Sequence, residues 1–143
     1  MNSKNMISDL SYYRLLLVDF LRESHPERLS DERFITARAE AAAETYAQEV
    51  LNGSNNLQAD HEALQVLFEG LYFSKQDTLV NILWNEFSME VPQEDAKELA
   101  IQLLPQLEDV FSGYTLSDDA IYDPQYDLLY TELTGAIALL LQL

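Results

Sequence analysis

Two histidines are the first side chains in this sequence that could carry metal or acid–base chemistry. His61 and Glu62 begin the pattern by which zinc proteases place two histidines four residues apart on a helix, but the second position holds Gln65. One histidine in a chain without cysteine does not make a typical zinc site. His25 precedes Pro26, where a helix is expected to end. Both histidines are therefore predicted to be structural or solvent-exposed.

The carboxylates that follow residue 117 are dense enough to suggest calcium, but their spacing does not fit. An EF-hand loop beginning at Asp118 would need oxygen ligands at positions that hold Ala120 and Tyr122. A pair of carboxylates of the kind used in glycoside hydrolysis is easily found among 25 acidic residues, so such a pair does not indicate that activity. The four glycines stand apart, so there is no phosphate-binding loop and no Gly-x-Ser-x-Gly elbow. We predict no catalytic, cofactor-binding or metal-binding residues, and no enzyme.

Tyrosines interleave with aspartates in the last third of the chain, and this pattern predicts an interaction surface. Tyrosine is enriched among residues that dominate binding at interfaces, and flanking acids favour a basic partner. Pro124 disturbs helical geometry at the residue before it, so only the residues from 124 onward share one helix face. The predicted surface consists of Asp118, Asp119, Asp123, Tyr126, Asp127 and Tyr130. The alternative is that the tyrosines cover the core and the aspartates form a solvated loop.

Net charge restricts the classes of partner open to this chain of 143 residues. Eight Lys and Arg against 25 Asp and Glu give a net charge of −17, of which −16 belongs to residues 41–143. No lysine or arginine follows Lys97. Because binding to phosphates requires cationic side chains that neutralise them, direct nucleic-acid binding is not expected. The charge favours a basic protein partner, and assembly of the chain with itself is left open.

Helical patterns predict the elements that would position these residues. The first helix carries its apolar face on Ile7, Leu10, Tyr13, Leu17 and Leu21. Caps are predicted at Ser30 for the second helix and Ser74 for the fourth, and a third helix is predicted over about residues 59–72. Prolines at 92 and 124 are typical of the first turns of a fifth and a sixth helix, and Pro105 is expected to kink or split the fifth.

No segment alternates with the two-residue period of a strand, so the predicted fold class is all-α. The run from Ala136 to Leu141 is apolar on every side, which predicts a C-terminal helix enclosed by others. Leu83 and Leu133 are expected in the core. The sequence predicts one domain over residues 1–143, an orthogonal or irregular bundle of about six helices with a buried C-terminal helix.

Apolar runs in this chain are short. The longest contains six residues, whereas a secretory signal needs about 7–15 and a membrane-spanning helix about twenty. We therefore predict no membrane association and a cytoplasmic location.

Four segments together resemble an uncharacterised family of bacterial domains of unknown function. They are Ser-Tyr-Tyr-Arg-Leu at 11–15, Ala-Ala-Ala-Glu-Thr-Tyr at 41–46, Glu-Gly-Leu-Tyr-Phe-Ser at 69–74, and residues 123–143. The resemblance spans essentially the whole chain and implies a short, acidic, all-helical protein. It also implies genes carried on conjugative mobile elements, and it transfers no catalytic residues.

Two function classes compete on these observations. The first is a non-enzymatic interaction module that docks a basic partner. The second is a DNA mimic whose carboxylates occupy the basic groove of a DNA-handling protein. A mimic needs acids spaced along an extended surface, about 1.7 Å of axis per charge in duplex DNA, whereas an adapter needs a patch with apolar anchors.

Overall fold

Helices make up most of the computed structural model, which describes residues 3–143, with side chains from residue 8 onward. They are α1 (Ser3–Ser24), α2 (Glu32–Leu51), α3 (Asn56–Leu67), α4 (Lys75–Glu86), α5 (Ala96–Leu103), α6 (Glu108–Phe111) and α7 (Gln125–Leu140). Between residues 3 and 143 there is no strand, and the all-α prediction is confirmed. The side chain of Ile7, assigned to the face of the first helix, lies outside the described residues.

Local hydrogen bonds explain most helix ends. Ser74 caps α4 as predicted, since its hydroxyl oxygen accepts from the backbone N–H of Asp77 at 2.9 Å. The cap of α2 is Asp31 rather than Ser30, because Asp31 closes a turn onto Arg28 and then accepts from the N–H of Phe34. The chain leaves α2 through Gly53, whose φ of +98° few other residues adopt.

Two predicted helices have different bounds in the structure. The third begins earlier than expected, because Asn55 caps it by accepting from the N–H of Gln58 at 2.8 Å, and it ends at Leu67. The fifth is divided: Gln93–Asp95 form a 3-10 turn before α5, and Leu104–Leu107 form another before α6. The fifth helix is therefore split near Pro105 as predicted, with α5 ending at Leu103, two residues before the proline.

The internal contacts group the chain into two compact units. The N-terminal unit contains α1 as far as Arg22, with Glu27–Glu69, and the C-terminal unit contains Glu23–Pro26 with Gly70–Leu143. A group of contacts is not by itself an independently folding domain, and the prediction of one domain stays a prediction.

Small side chains form much of the core of the N-terminal unit. Fully or almost fully buried alanines on α2 and α3 allow the two helices to approach closely; they are Ala39, Ala42, Ala43, Ala59 and Ala63. On the predicted apolar face of α1, the side chains of Tyr13, Leu17 and Leu21 are buried. At the other end of α3, Arg38 donates to the carbonyl oxygens of Leu67 and Glu69, which stabilises the helix C-terminus.

The C-terminal unit has a larger aliphatic core. Leu83 and Leu133, which were expected there, are 1% and 0% exposed. The prediction of a buried C-terminal helix holds for one face of α7, which buries Leu129, Leu133 and Ile137. The opposite face is open, and Leu139 is 79% exposed. The apolar sequence of the last turns therefore does not imply burial on every side.

Candidate functional site

The predicted surface lies entirely within the C-terminal unit, but its six residues do not play the same part. Asp118 is half-buried and binds the backbone: its Oδ2 accepts from the N–H of Gly70 at 2.9 Å, and its Oδ1 from the N–H of Tyr72 at 3.0 Å. Gly70 has a φ of +78°, so the chain turns there and directs both donors to one carboxylate. Asp118 therefore stabilises the backbone conformation at Gly70–Tyr72.

A 3-10 turn at Ala120–Tyr122 presents the neighbouring side chains to solvent. Ala120 is buried and fixes the turn to the core, while Asp119 before it is exposed. Ile121 and Tyr122, which follow Ala120 in the turn, project outward and are 53% and 80% exposed. Exposed aromatic and aliphatic groups of this size are the kind that anchor a partner.

Asp123 and Asp127 flank the beginning of α7. Asp123 Oδ1 accepts from the backbone N–H of Gln125 at 2.9 Å, which closes the turn that contains Pro124. Asp127 lies in the first turn of α7, where a negative charge is favourable, and it is exposed. These two carboxylates, with Asp119, lie on both sides of the exposed pair Ile121 and Tyr122 in the chain.

Tyr126 and Tyr130 occupy the predicted common face of α7, and both are half-buried. The ring centroid of Tyr126 lies 6.4 Å from Phe73, at an interplanar angle of 84°, and 6.4 Å from Tyr130. The Tyr130 hydroxyl donates to Glu86 Oε1 at 3.1 Å. Burial first, and then this carboxylate, raise the pKa of Tyr130. These tyrosines cover the edge of the core, as the alternative interpretation supposed.

The C-terminal unit is strongly acidic. It contains fourteen acidic residues and two lysines, a net charge of −12. Both lysines are already paired within the unit, Lys75 with Glu108 at 3.0 Å and Lys97 with Glu23 at 2.8 Å. The exposed carboxylates Asp119 and Asp127 have no Lys or Arg partner among the residues of this unit.

The structure divides the predicted residues: Asp118 binds the backbone, whereas the side chains of Asp119, Asp123 and Asp127 are exposed. We define the acidic surface as Asp119, Ile121, Tyr122, Asp123 and Asp127. Ile121 and Tyr122 were not among the predicted residues, although the short spacing between Asp119 and Pro124, too short for an α-helix, was a signal that they face solvent. The backbone of exposed Tyr72 adjoins this segment through its bond to Asp118.

The two histidines lie in different environments, one buried and one exposed. His25 is buried and its Nε2 donates to the carbonyl oxygen of Leu71 at 2.8 Å, because a carbonyl can only accept. His61 is exposed and its Nε2 lies 3.1 Å from the side-chain amide of Gln65, the residue that replaces the second zinc ligand of the motif. Among the described residues, no three His, Cys, Asp or Glu side chains are close enough together to hold a metal ion.

None of the helices between residues 3 and 143 combines the length and apolar content needed to cross a bilayer. The longest, α1, has 22 residues but is amphipathic rather than apolar throughout.

Comparison with known proteins supports the fold and leaves the activity unassigned. The model of a family described as "Domain of unknown function (DUF1896)" matches residues 5–143. The crystal structure of protein PG0816 from Porphyromonas gingivalis is similar, with 40% sequence identity and a TM-score of 0.91 over 97% of this chain and 95% of that one. No curated protein matches the chain. Neither the family description nor the name of the neighbour indicates a catalytic family.

Proposed function

Because the chain belongs to the DUF1896 family of domains of unknown function, we propose its role from its own surface: it is a non-enzymatic, acidic, helical module that binds a basic protein partner. The contact is made through the acidic surface. The observation that carries the proposal is the exposed pair Ile121 and Tyr122, which lies in the chain between Asp119 and Asp123. Neither of these carboxylates forms an ion pair with a lysine of the same unit.

Anchors and charges would contribute differently to such a contact. Burial of Tyr122 and Ile121 against a partner removes apolar surface from water and slows dissociation. The carboxylates, within a unit of net charge −12, attract a basic partner over a distance and speed association. Because exposed charges farther apart than about 8 Å are screened at physiological ionic strength, association is expected to be salt-sensitive.

A DNA mimic is the alternative class. It would need carboxylates that follow the spacing of phosphates, and it has no use for exposed apolar anchors among them. The exposure of Tyr122 and Ile121 favours the adapter. The connection to conjugative elements comes from the family resemblance and stays a prediction.

Two matched triple variants test the proposal. One replaces Asp119, Asp123 and Asp127 with asparagine. The control replaces Glu90, Glu94 and Glu98 with glutamine, which removes the same charge from exposed positions of the same unit. Asp118 is left unchanged, because its loss would alter the fold as well as the charge.

Capture from a host extract at low and high salt identifies partners, and surface plasmon resonance with the purified partner then measures the rates. The asparagine variant is expected to associate about tenfold more slowly than the control, and Tyr122→Ala to dissociate faster. If this protein and duplex DNA exclude each other from the partner, the result favours the DNA mimic. If both bind the partner at the same time, the result favours the adapter. Equal rates and equal salt dependence for both triple variants would overturn the proposal.

A further inference from the structure

An open depression lies on the surface of the N-terminal unit, where side chains from three helices surround about 480 Å³. This volume is within the range of small-molecule sites, about 300–1,000 Å³. We call it the tyrosine cleft and define it by Asp9, Tyr12 and Tyr13 of α1, Tyr46 of α2 and Asp60 of α3.

Helical spacing brings these groups together. Asp9, Tyr12 and Tyr13 stand at positions i, i+3 and i+4 of α1, so they share one face of that helix. Tyr13 is buried and meets Tyr12 in an edge-to-face contact, with ring centroids 5.1 Å apart and an interplanar angle of 66°. Tyr12 itself is 49% exposed, so its ring is accessible to a ligand.

Two carboxylates accompany the rings. The Tyr13 hydroxyl donates to Asp60 Oδ1 at 2.8 Å, which fixes the carboxylate at the cleft. Burial is the main cause that raises the pKa of Tyr13, and the hydrogen bond and charge of Asp60, followed by the charge of Asp9, raise it further. Both carboxylates therefore act on the Tyr13 hydroxyl. Among the described residues, no lysine or arginine forms an ion pair with Asp9 or Asp60; on α1, Arg14 binds Glu32, and Arg22 binds Asp19.

Tyrosine rings beside carboxylates that pair with no Lys or Arg among the described side chains select one class of ligand. An anion would be repelled by Asp9 and Asp60. A small inorganic cation is strongly hydrated and prefers a shell of oxygen ligands, whereas aromatic faces attract weakly hydrated organic cations. We propose that the tyrosine cleft binds an organic cation, an alkylammonium or guanidinium group, with the charge at Asp9 and Asp60 and its carbon atoms against Tyr12 and Tyr46.

Tetramethylammonium chloride is the first probe, and sodium chloride at equal ionic strength and tert-butanol, a neutral compound of similar shape, are the controls. In backbone amide NMR spectra of the full chain, tetramethylammonium is expected to cause saturable shifts confined to residues near the cleft. Neither sodium chloride nor tert-butanol is expected to cause these shifts. Shifts that sodium chloride reproduces, or that spread over the whole acidic protein, would overturn the proposal.

Variants separate the cleft from the general negative charge. Asp60→Asn keeps an acceptor for the Tyr13 hydroxyl but loses the charge, and about fivefold weaker binding is expected. Tyr12→Leu keeps apolar bulk but loses the aromatic face, and about two- to fivefold weaker binding is expected. Glu98→Gln removes one charge from an exposed position of the other unit and leaves binding unchanged. Equal affinities for Asp60→Asn and Glu98→Gln would contradict the site, even where the acidic surface still binds its partner.

The same titration distinguishes the two sources of such a cation. n-Butylammonium represents a free amine, and a capped Gly-Arg-Gly peptide represents a side chain presented by a protein. Tighter binding of the peptide assigns the cleft to a protein side chain, and tighter binding of n-butylammonium assigns it to a free amine. Absence of saturable shifts with both probes, as well as with tetramethylammonium, would reject the site.

Discussion

Replacement of Asp118 by asparagine tests whether this carboxylate stabilises the fold or is available to bind a partner. Its two oxygens accept from the backbone of Gly70 and Tyr72, 48 and 46 residues away in the chain. Asparagine has one acceptor oxygen, so the substitution removes one of these bonds and takes the charge from the other. We therefore expect Asp118→Asn to destabilise the protein, whereas Asp119→Asn, next to it, should be nearly neutral.

The magnitude follows from the kind of bond that is lost. A hydrogen bond to a charged group contributes about 1.5–3 kcal/mol, but both bonds here are open to solvent, so the lower part of that range applies. We expect a loss of about 1–2 kcal/mol in the free energy of unfolding. The exposed side chain of Asp119 accepts no hydrogen bond among the described residues, and its replacement should stay within about 0.5 kcal/mol.

Urea unfolding followed by circular dichroism measures the difference. With a slope of about 2 kcal/mol per molar urea, the midpoint of Asp118→Asn should fall by about 0.5–1 M, with an unchanged slope. The midpoint of Asp119→Asn should match that of the unchanged protein. If the two variants had the same midpoint, the bonds of Asp118 would not be structural and our division of the predicted surface would be wrong.

Further substitutions test the core, the backbone and the buried phenol. Leu83→Ala and Leu133→Ala should each cost about 2–5 kcal/mol in urea unfolding, whereas Leu139→Ala, at an exposed position of α7, should cost less than about 0.5 kcal/mol. Gly70→Ala should cost about 1–2 kcal/mol through its positive φ, since no atom lies within 4 Å of the added carbon to clash with it. Because burial and Asp60 raise the pKa of Tyr13 above its unfolded value, its contribution to stability is complete below about pH 10 and declines as the pH rises further. Melting temperatures between pH 9 and 11 should therefore fall less steeply for Tyr13→Phe; an unchanged slope would exclude this phenol as a cause.

Short-range interactions made much of the fold predictable. Ser74 caps α4 through the N–H three residues later, and the break before Pro105 follows from the ring of the proline itself. The one-residue error at Ser30 has the same origin, because Ser30 and Asp31 can both cap a helix and a turn onto Arg28 selects the second. The apolar period of α7 correctly placed Leu133 in the core but could not show that Leu139 is open to solvent.

The sites depended on contacts that sequence distance conceals. Charge identified a strongly acidic chain, helical periodicity identified an all-α fold, and the aspartates after residue 117 were visible as a candidate surface. Only the tertiary structure assigned Asp118 to the backbone of Gly70 and Tyr72, and left Tyr122 exposed instead. The tyrosine cleft likewise requires Tyr13 to meet Asp60, 47 residues away. Helical periodicity determines which face of its own helix a side chain occupies, but which faces meet depends on how the helices pack.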